Sequence, residues 1–236
     1  MQLDVLYADE NFVAINKPSG LLVHRTQLDS QATEFALQLL RDQIGRPVSP
    51  CHRLDRPTSG VLLFSLNAEA LRNAQSEFEA RRVDKTYHAI VRGWPDDAGL
   101  IDYDLQLEDK PSVIQNAQTE YRCLERFEYP QPIGQFAAAR FALVELKPLT
   151  GRKHQLRRHM AHLRHPILGD TRHGDGKQNQ YIRTHFDCHR LLLHASALRI
   201  HPAGMAQPVQ IEAPAEHSFS SVLERLRGTG TSNVQH

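Results

Sequence analysis

This sequence predicts an α+β fold on a mixed or antiparallel sheet, and three observations carry the prediction. Short runs of alternating or wholly apolar residues recur along the chain, and only a few stretches carry helical spacing. The two kinds do not follow one another in the strand–helix–strand order of a parallel α/β sheet. Clusters of Gly, Pro, Asn and Asp punctuate them.

Val5–Tyr7 and Phe12–Ile15 read as strands about the turn Asp9-Glu10-Asn11. Lys17-Pro18-Ser19-Gly20 is a turn, after which Leu21–Val23 resumes extended structure. From about Thr33 to Ile44 the residues Phe35, Ala36, Leu39 and Leu40 follow helical spacing, closed by Gly45 and Pro47. Val61–Leu66 is a short apolar strand. Asn67 caps a helix running to about Arg82, with Leu71, Ala74 and Phe78 on one face. Val83–Val91 alternates as a strand does, with Tyr87 and Ala89 on one side. Leu100–Leu107, Thr119–Glu125 and Phe141–Leu146 are further strands. A helix from about Arg152 to Leu163 buries Leu156, Met160 and Leu163, and Pro166 fixes its end. Gly174-Asp175-Gly176 reads as a plain turn, Arg190–Ile200 as a strand and Phe219–Leu226 as a short helix. Residues 228–236 are expected to fray.

Hydrophobic residues make up 40% of the chain and charged residues 23%, ordinary for a soluble globular protein. No apolar run approaches a membrane span and the start lacks the pattern of a signal peptide, so no membrane association is expected. Three cysteines without CxxC spacing fit a reducing cytoplasm. The net charge of +1 argues nothing about nucleic acid, but its distribution does. Between Glu145 and Asp170 no acid occurs, while Lys147, Arg152, Lys153, Arg157, Arg158 and Arg164 do, a footprint suited to a polyanion. The alternative is a solvated helix face.

The densest chemistry lies in Cys51–Gly60, CHRLDRPTSG. Asp55 sits between Arg53 and Arg56, and Pro57-Thr58-Ser59-Gly60 predicts a loop that presents the carboxylate. Nearby cations keep it ionised and nucleophilic at neutral pH. A plain surface ion pair is the competing reading. A kinase reading is weak, because that order is His-Arg-Asp with an Asn further on, and the sequence shows neither a glycine-rich loop nor Asp-Phe-Gly. His154, His159, His162 and His165 invite a metal, yet only His159 and His162 share a helix face and no acid lies among them. No metal is expected; the histidines are read as polar contacts on an RNA-facing helix.

HRLDRPTSG resembles the signature of the RluA-type pseudouridine synthases. NKPSGLLVH (16–24), DKTYHAIVRG (84–93), TGRKHQLRRHMAHLRHPILGD (150–170) and HRLLLHA (189–195) agree with that family in order. Pro57 and the histidine-rich block are similar to the branch that modifies uridine 65 of tRNA, although Leu149-Thr150-Gly151 departs from the usual Lys-Thr-Gly. The resemblance implies one catalytic domain over residues 1–236, its core at about 3–214; the S4 RNA-binding domain that many relatives carry is not expected here. It implies a curved, mixed, mainly antiparallel sheet with flanking helices and an active site in a basic cleft. Asp55 matches the catalytic aspartate, Arg53 the arginine that enters the RNA stack, Tyr87 the tyrosine that packs on the flipped uracil, and Arg157 the basic residue that pairs with the aspartate. Arg56, Arg152, Lys153 and Arg158 are expected to bind the RNA substrate.

Isomerising uridine breaks N1–C1′ and joins C5 to C1′. Nothing is oxidised and no group enters or leaves, so no cofactor and no protein partner is expected. One carboxylate could attack the ring or the sugar, or promote a glycal. Two other classes compete: a non-catalytic RNA-binding protein, and a hydrolase with Asp55 as base.

Overall fold

The computed structural model describes residues 1–24, 33–201 and 207–229. Along the chain they form β1 (Asp4–Ala8), β2 (Phe12–Lys17), α1 (Ala36–Ile44), β3 (Ser49–Pro50), β4 (Ser59–Ser65), α2 (Ala68–Glu79) and β5 (Asp84–Arg92). There follow β6 (Ala98–Asp102), β7 (Leu105–Gln106), β8 (Ile114–Gln115), β9 (Gln118–Tyr129), β10 (Ala139–Pro148), α3 (Gln155–His162), α4 (Gly176–Phe186), β11 (Leu193–Ile200), β12 (Val209–Glu212) and α5 (His217–Thr229). Two compact units result: Met1–Lys85 with His194–Ala215, and Thr86–Leu193 with the segment from Glu216.

The sheet of the first unit is mixed. β2 lies antiparallel between β1 and β4, with Ile15 opposite both Val5 and Leu62. β4 runs parallel to β11, and β12 continues antiparallel. Every residue of β4 is buried, which is why Val61–Phe64 reads as a continuous apolar run instead of an alternating one. Asn67 caps α2 as expected, its side chain accepting the Ala70 N–H at 2.8 Å. The helix lays Ala70 and Ala74 against Phe12, Val61, Leu63 and Leu198. Parallel pairing at Gly60 brings the backbones very close. Gly60 has φ +111°, and a Cβ there would stand 2.1 Å from the Ala195 carbonyl oxygen.

The second unit orders its strands β5, β10, β9, β6, all antiparallel. Alternation sorts their side chains to two faces. Ile90, Phe127, Phe141 and Leu143 meet Tyr181, Ile182 and Phe186 of α4 and Phe219, Val222 and Leu226 of α5. Ala89, Val91, Ala142, Val144 and Leu146 meet Leu156 and Met160 of α3. Tyr87 packs beside this second cluster, on the side of Ala89 as its spacing predicts.

Several boundaries differ from the sequence expectation. α1 starts at Ala36, because Phe35 stays extended and bridges Leu22. α3 starts at Gln155, because His154 has φ +55°. It stops at His162, since Arg164 is left-handed two residues before Pro166. The expected strand 100–107 is broken after Asp102: the Tyr103 carbonyl turns to His159, and Leu105–Gln106 pairs separately with Ile114–Gln115. Gly174–Gly176 is no plain turn. Asp175 accepts the Lys177 and Gln178 N–H groups and so caps α4, whose polar sequence hides its three apolar anchors. α5 continues through Gly228 to Thr229, and the rest of the expected frayed tail, 230–236, lies outside the described residues. Cys51, Cys123 and Cys188 are free thiols. Among the described residues no helix is long and apolar enough to cross a membrane.

Gly60→Ala is expected to destabilise the protein by about 3 kcal/mol or more, from the clash and the positive φ together. Gly176→Ala, which meets nothing within 4 Å, should stay within about 1 kcal/mol. Urea unfolding of both variants checks this; equal effects would contradict it.

Candidate active site

Asp55 opens a tight turn, with its carbonyl accepting the Thr58 N–H at 3.0 Å. The turn is stitched to Lys17–Leu21. Lys17, wholly buried, donates from Nζ to the carbonyls of Pro18 and Leu21 at 2.8 Å and of Arg56 at 3.2 Å. The Gly20 N–H donates to the Arg56 carbonyl at 2.8 Å, and Arg56 returns a bond from Nε to the Gly20 carbonyl at 3.0 Å. Ser19 Oγ donates to the Pro57 carbonyl. Asp55 itself is half-buried. Arg53 is exposed, and its guanidinium makes no hydrogen bond or ion pair among the described residues.

Upstream, the loop is anchored through His52 and Cys51. The Cys51 N–H donates to the Leu63 carbonyl, and His52 Nε2 accepts the Leu63 N–H at 3.1 Å while its ring packs on Phe78. Burial, and then the charge of Lys85, push the His52 imidazole down to about 4, which keeps it a neutral acceptor.

Tyr87 lies half-buried on β5 opposite Leu146. Arg157, on α3, is only 5% exposed and is gripped by Asp170: Nε donates to Oδ2 at 2.7 Å and Nη2 to Oδ1 at 2.8 Å. Burial alone would raise the Asp170 carboxyl, but the bonds from Arg157 and from the His173 and Arg172 amides hold it below the usual carboxylate range.

The acid-free run is not an unopposed basic face. Lys147 pairs with Glu145, Lys153 with Glu108 and Arg157 with Asp170. Arg152 Nε and Arg158 Nη1 donate to the Asn116 and Gln106 carbonyls. The turn into α3, and α3 through Arg158, thus clasp the β7–β8 hairpin with the residues expected to meet RNA, though Lys153 stays exposed and Arg152 and Arg158 half-exposed. His159 does not face RNA as the sequence reading had it. It is fully buried, bridging Thr119 Oγ1 and the Tyr103 carbonyl; only His162 stands outside, stacked on the Tyr103 ring.

His154 lies with His173 and Glu108, their donor atoms within 4.8 Å of one another. The acid is supplied from 46 residues upstream, beyond the reach of any spacing rule. Lys153 and Arg172 also sit on Glu108, so its charge is already shared between two cations, an arrangement suited to an ion-pair network more than to a metal ion.

Lys17 and Asp170 went unassigned in the sequence, although Lys17 opens the turn 17–20 and Asp170 closes the block 150–170. Gln155 is a third. Buried, it accepts from Thr150 Oγ1 and the Arg152 N–H and donates to the Gln118 carbonyl and Thr119, locking the turn into α3.

The chain belongs to the RNA pseudouridylate synthase family, whose model matches residues 11–162 and so includes Asp55, Tyr87 and Arg157. It is an RNA pseudouridine synthase, an isomerase, on a mixed α+β fold of the kind the sequence predicts. It is 54% identical to the tRNA pseudouridine synthase C of Vibrio parahaemolyticus over 86% of each chain. To the protein of that name from Vibrio cholerae it is 50% identical, over 95% of this chain and 96% of the other. Among solved structures it is similar to human RNA pseudouridylate synthase domain containing 4, with 27% identity, a TM-score of 0.75, and 95% and 93% of the two chains covered.

His52 carries a pH prediction. Unfolded, it titrates near 6.5; folded, near 4, so between these values the unfolded chain binds more protons and stability rises with pH. Its contribution is complete above about pH 6.5 and is lost as pH falls towards 4. His52→Gln should flatten this part of the stability–pH curve, measured by urea unfolding. An unchanged slope would contradict the assignment.

Proposed function

We propose that this enzyme converts uridine 65 of tRNA to pseudouridine in the cytoplasm, with Asp55 as the catalytic carboxylate. The observation that carries the assignment is the Asp55 turn: a carboxylate on a four-residue bend, pinned by a buried ammonium and three further bonds to the neighbouring loop. Such pinning is what a reaction at one glycosidic bond requires, because misplacement by about 1 Å can cost on the order of a hundredfold in rate. The tRNA assignment is supported by relatives named tRNA pseudouridine synthase C that match nearly the full chain. Position 65 rests on Pro57 and the histidine-rich block.

The N1–C1′ bond breaks, the uracil turns, C5 bonds to C1′, and the proton from C5 leaves as N1 regains one. The product is an isomer, so the reaction calls for no oxidant, reductant or second substrate. The carboxylate serves at C6, at C1′ or in removing a sugar proton, and each route needs it ionised beside the base. Extruding that base costs a few kcal/mol. Arg53, exposed and with no guanidinium partner among the described residues, fills the vacated stack. Tyr87 packs on the extruded uracil, a contact of about 1–3 kcal/mol. Arg157 is the buried cation of the catalytic centre, and Arg56, Arg152, Lys153 and Arg158 meet phosphates.

Asp55→Asn and Asp55→Ala are expected to form no pseudouridine on tRNA while melting and binding tRNA as the wild type does. Turnover by either purified variant would refute the assignment. Phosphate contacts are tested through salt: Lys153→Ala or Arg158→Ala should shallow the log–log salt dependence of tRNA binding by roughly 0.7–0.9 each. Arg157→Met, buried away from phosphate, should leave that slope unchanged; a slope altered by Arg157 and not by the other two would reverse these roles.

A further inference from the structure

We infer that Asp170 is a positioning residue for the isomerisation, acting through Arg157 and not on the RNA; the inference rests on the role given to Arg157 above. An arginine side chain turns about four bonds, and a single contact would leave its guanidinium free to swing. Asp170 removes that freedom by engaging Nε and Nη2 together, at 2.7 and 2.8 Å, in the planar two-bond geometry that carboxylate and guanidinium share. The plane of the guanidinium is then fixed, and Nη1 is aimed away from Asp170.

Asp170 is itself immobilised. Its Oδ1 accepts the Arg172 and His173 N–H groups at 2.9 Å. Its carbonyl accepts from Asn179 Nδ2 at 2.8 Å, and Asn179 Oδ1 accepts the Gly169 N–H at 2.9 Å, so α4 holds this bend at two points. Gly169, at φ +79°, is required because a Cβ there would lie 1.9 Å from the Arg190 carbonyl oxygen. The Ile167–Asp170 end of the conspicuous basic block is thus a mount for a carboxylate that is 1% exposed and out of reach of any RNA. A buried ion pair is a poor source of stability beside apolar packing of similar volume. What it supplies here is orientation.

The test compares Asp170→Asn, Arg157→Met and the double variant by single-turnover rate at saturating enzyme, tRNA affinity and melting. Asp170→Asn keeps the backbone bonds to Oδ1 and removes the charge and the second grip on Arg157. The expected result is a saturated rate lower by about tenfold or more, with tRNA affinity within about twofold. In the Arg157→Met background the same change should alter the rate by less than about twofold, because a residue acting through another has nothing left to act on. A wild-type rate for Asp170→Asn, or losses that multiply in the double variant, would overturn the inference. If Arg157→Met alone keeps the wild-type rate, the role of Arg157 fails and the inference with it. A slow Arg157→Met beside a normal Asp170→Asn removes the inference only. Should Asp170→Asn not fold, Asn179→Ala replaces it: a rate reduced by about threefold or more at unchanged affinity supports the mount, and a wild-type rate overturns it.

Discussion

A lysine ammonium sealed from solvent holds the Asp55 loop where it is. Lys17 ends strand β2, and its side chain turns inward to meet the carbonyls of Pro18, Leu21 and Arg56. Three N–H donors meeting three carbonyls offset the cost of burying the charge. Those carbonyls belong to two loops about forty residues apart in sequence, so the ammonium is a fixed point about which both are folded. The Asp55 turn depends on this centre on one side, and on the Cys51 and His52 bonds to Leu63 on the other. Strand β4, buried along its whole length, gives both supports a rigid base.

The second unit uses charge in a related way. Its basic segment looks in sequence like a surface built for phosphate, yet much of it is turned to internal account. Arg152, Lys153 and Arg158 hold the β7–β8 hairpin, His159 and Gln155 fasten α3 to β9, and Arg157 is locked by Asp170. Long cationic side chains can do both, since the contacts to carbonyls engage only some of their N–H groups and much of each side chain stays accessible. Rigidity of this segment and the RNA binding proposed for it therefore draw on the same residues.

The strands of the core were legible because burial leaves a plain record: continuous apolar runs where both faces are covered, alternation elsewhere, and turn residues between. Asn67 was legible as a cap because its bond is local. Asp55 stood out through its turn chemistry and its flanking arginines. What stayed hidden depends on partners distant in sequence. Helix α4 is anchored by only Tyr181, Ile182 and Phe186 within a polar stretch, too sparse a pattern to read. His154 and Glu108 meet across 46 residues, and His159 looks exposed until Thr119 and Tyr103 are placed around it. Starts of helices were misplaced where one residue adopts φ > 0, as His154 does, which side-chain periodicity does not encode.

The central claim is that this chain isomerises one uridine of tRNA without releasing the base. The most direct measurement incubates the purified enzyme with an unmodified tRNA transcript, labels pseudouridine chemically, and maps the label by primer extension while free uracil is assayed in the same reaction. The account predicts a single labelled position, residue 65, an RNA whose mass before labelling is unchanged, and no free uracil. An unlabelled transcript, or uracil released in step with enzyme added, would contradict it.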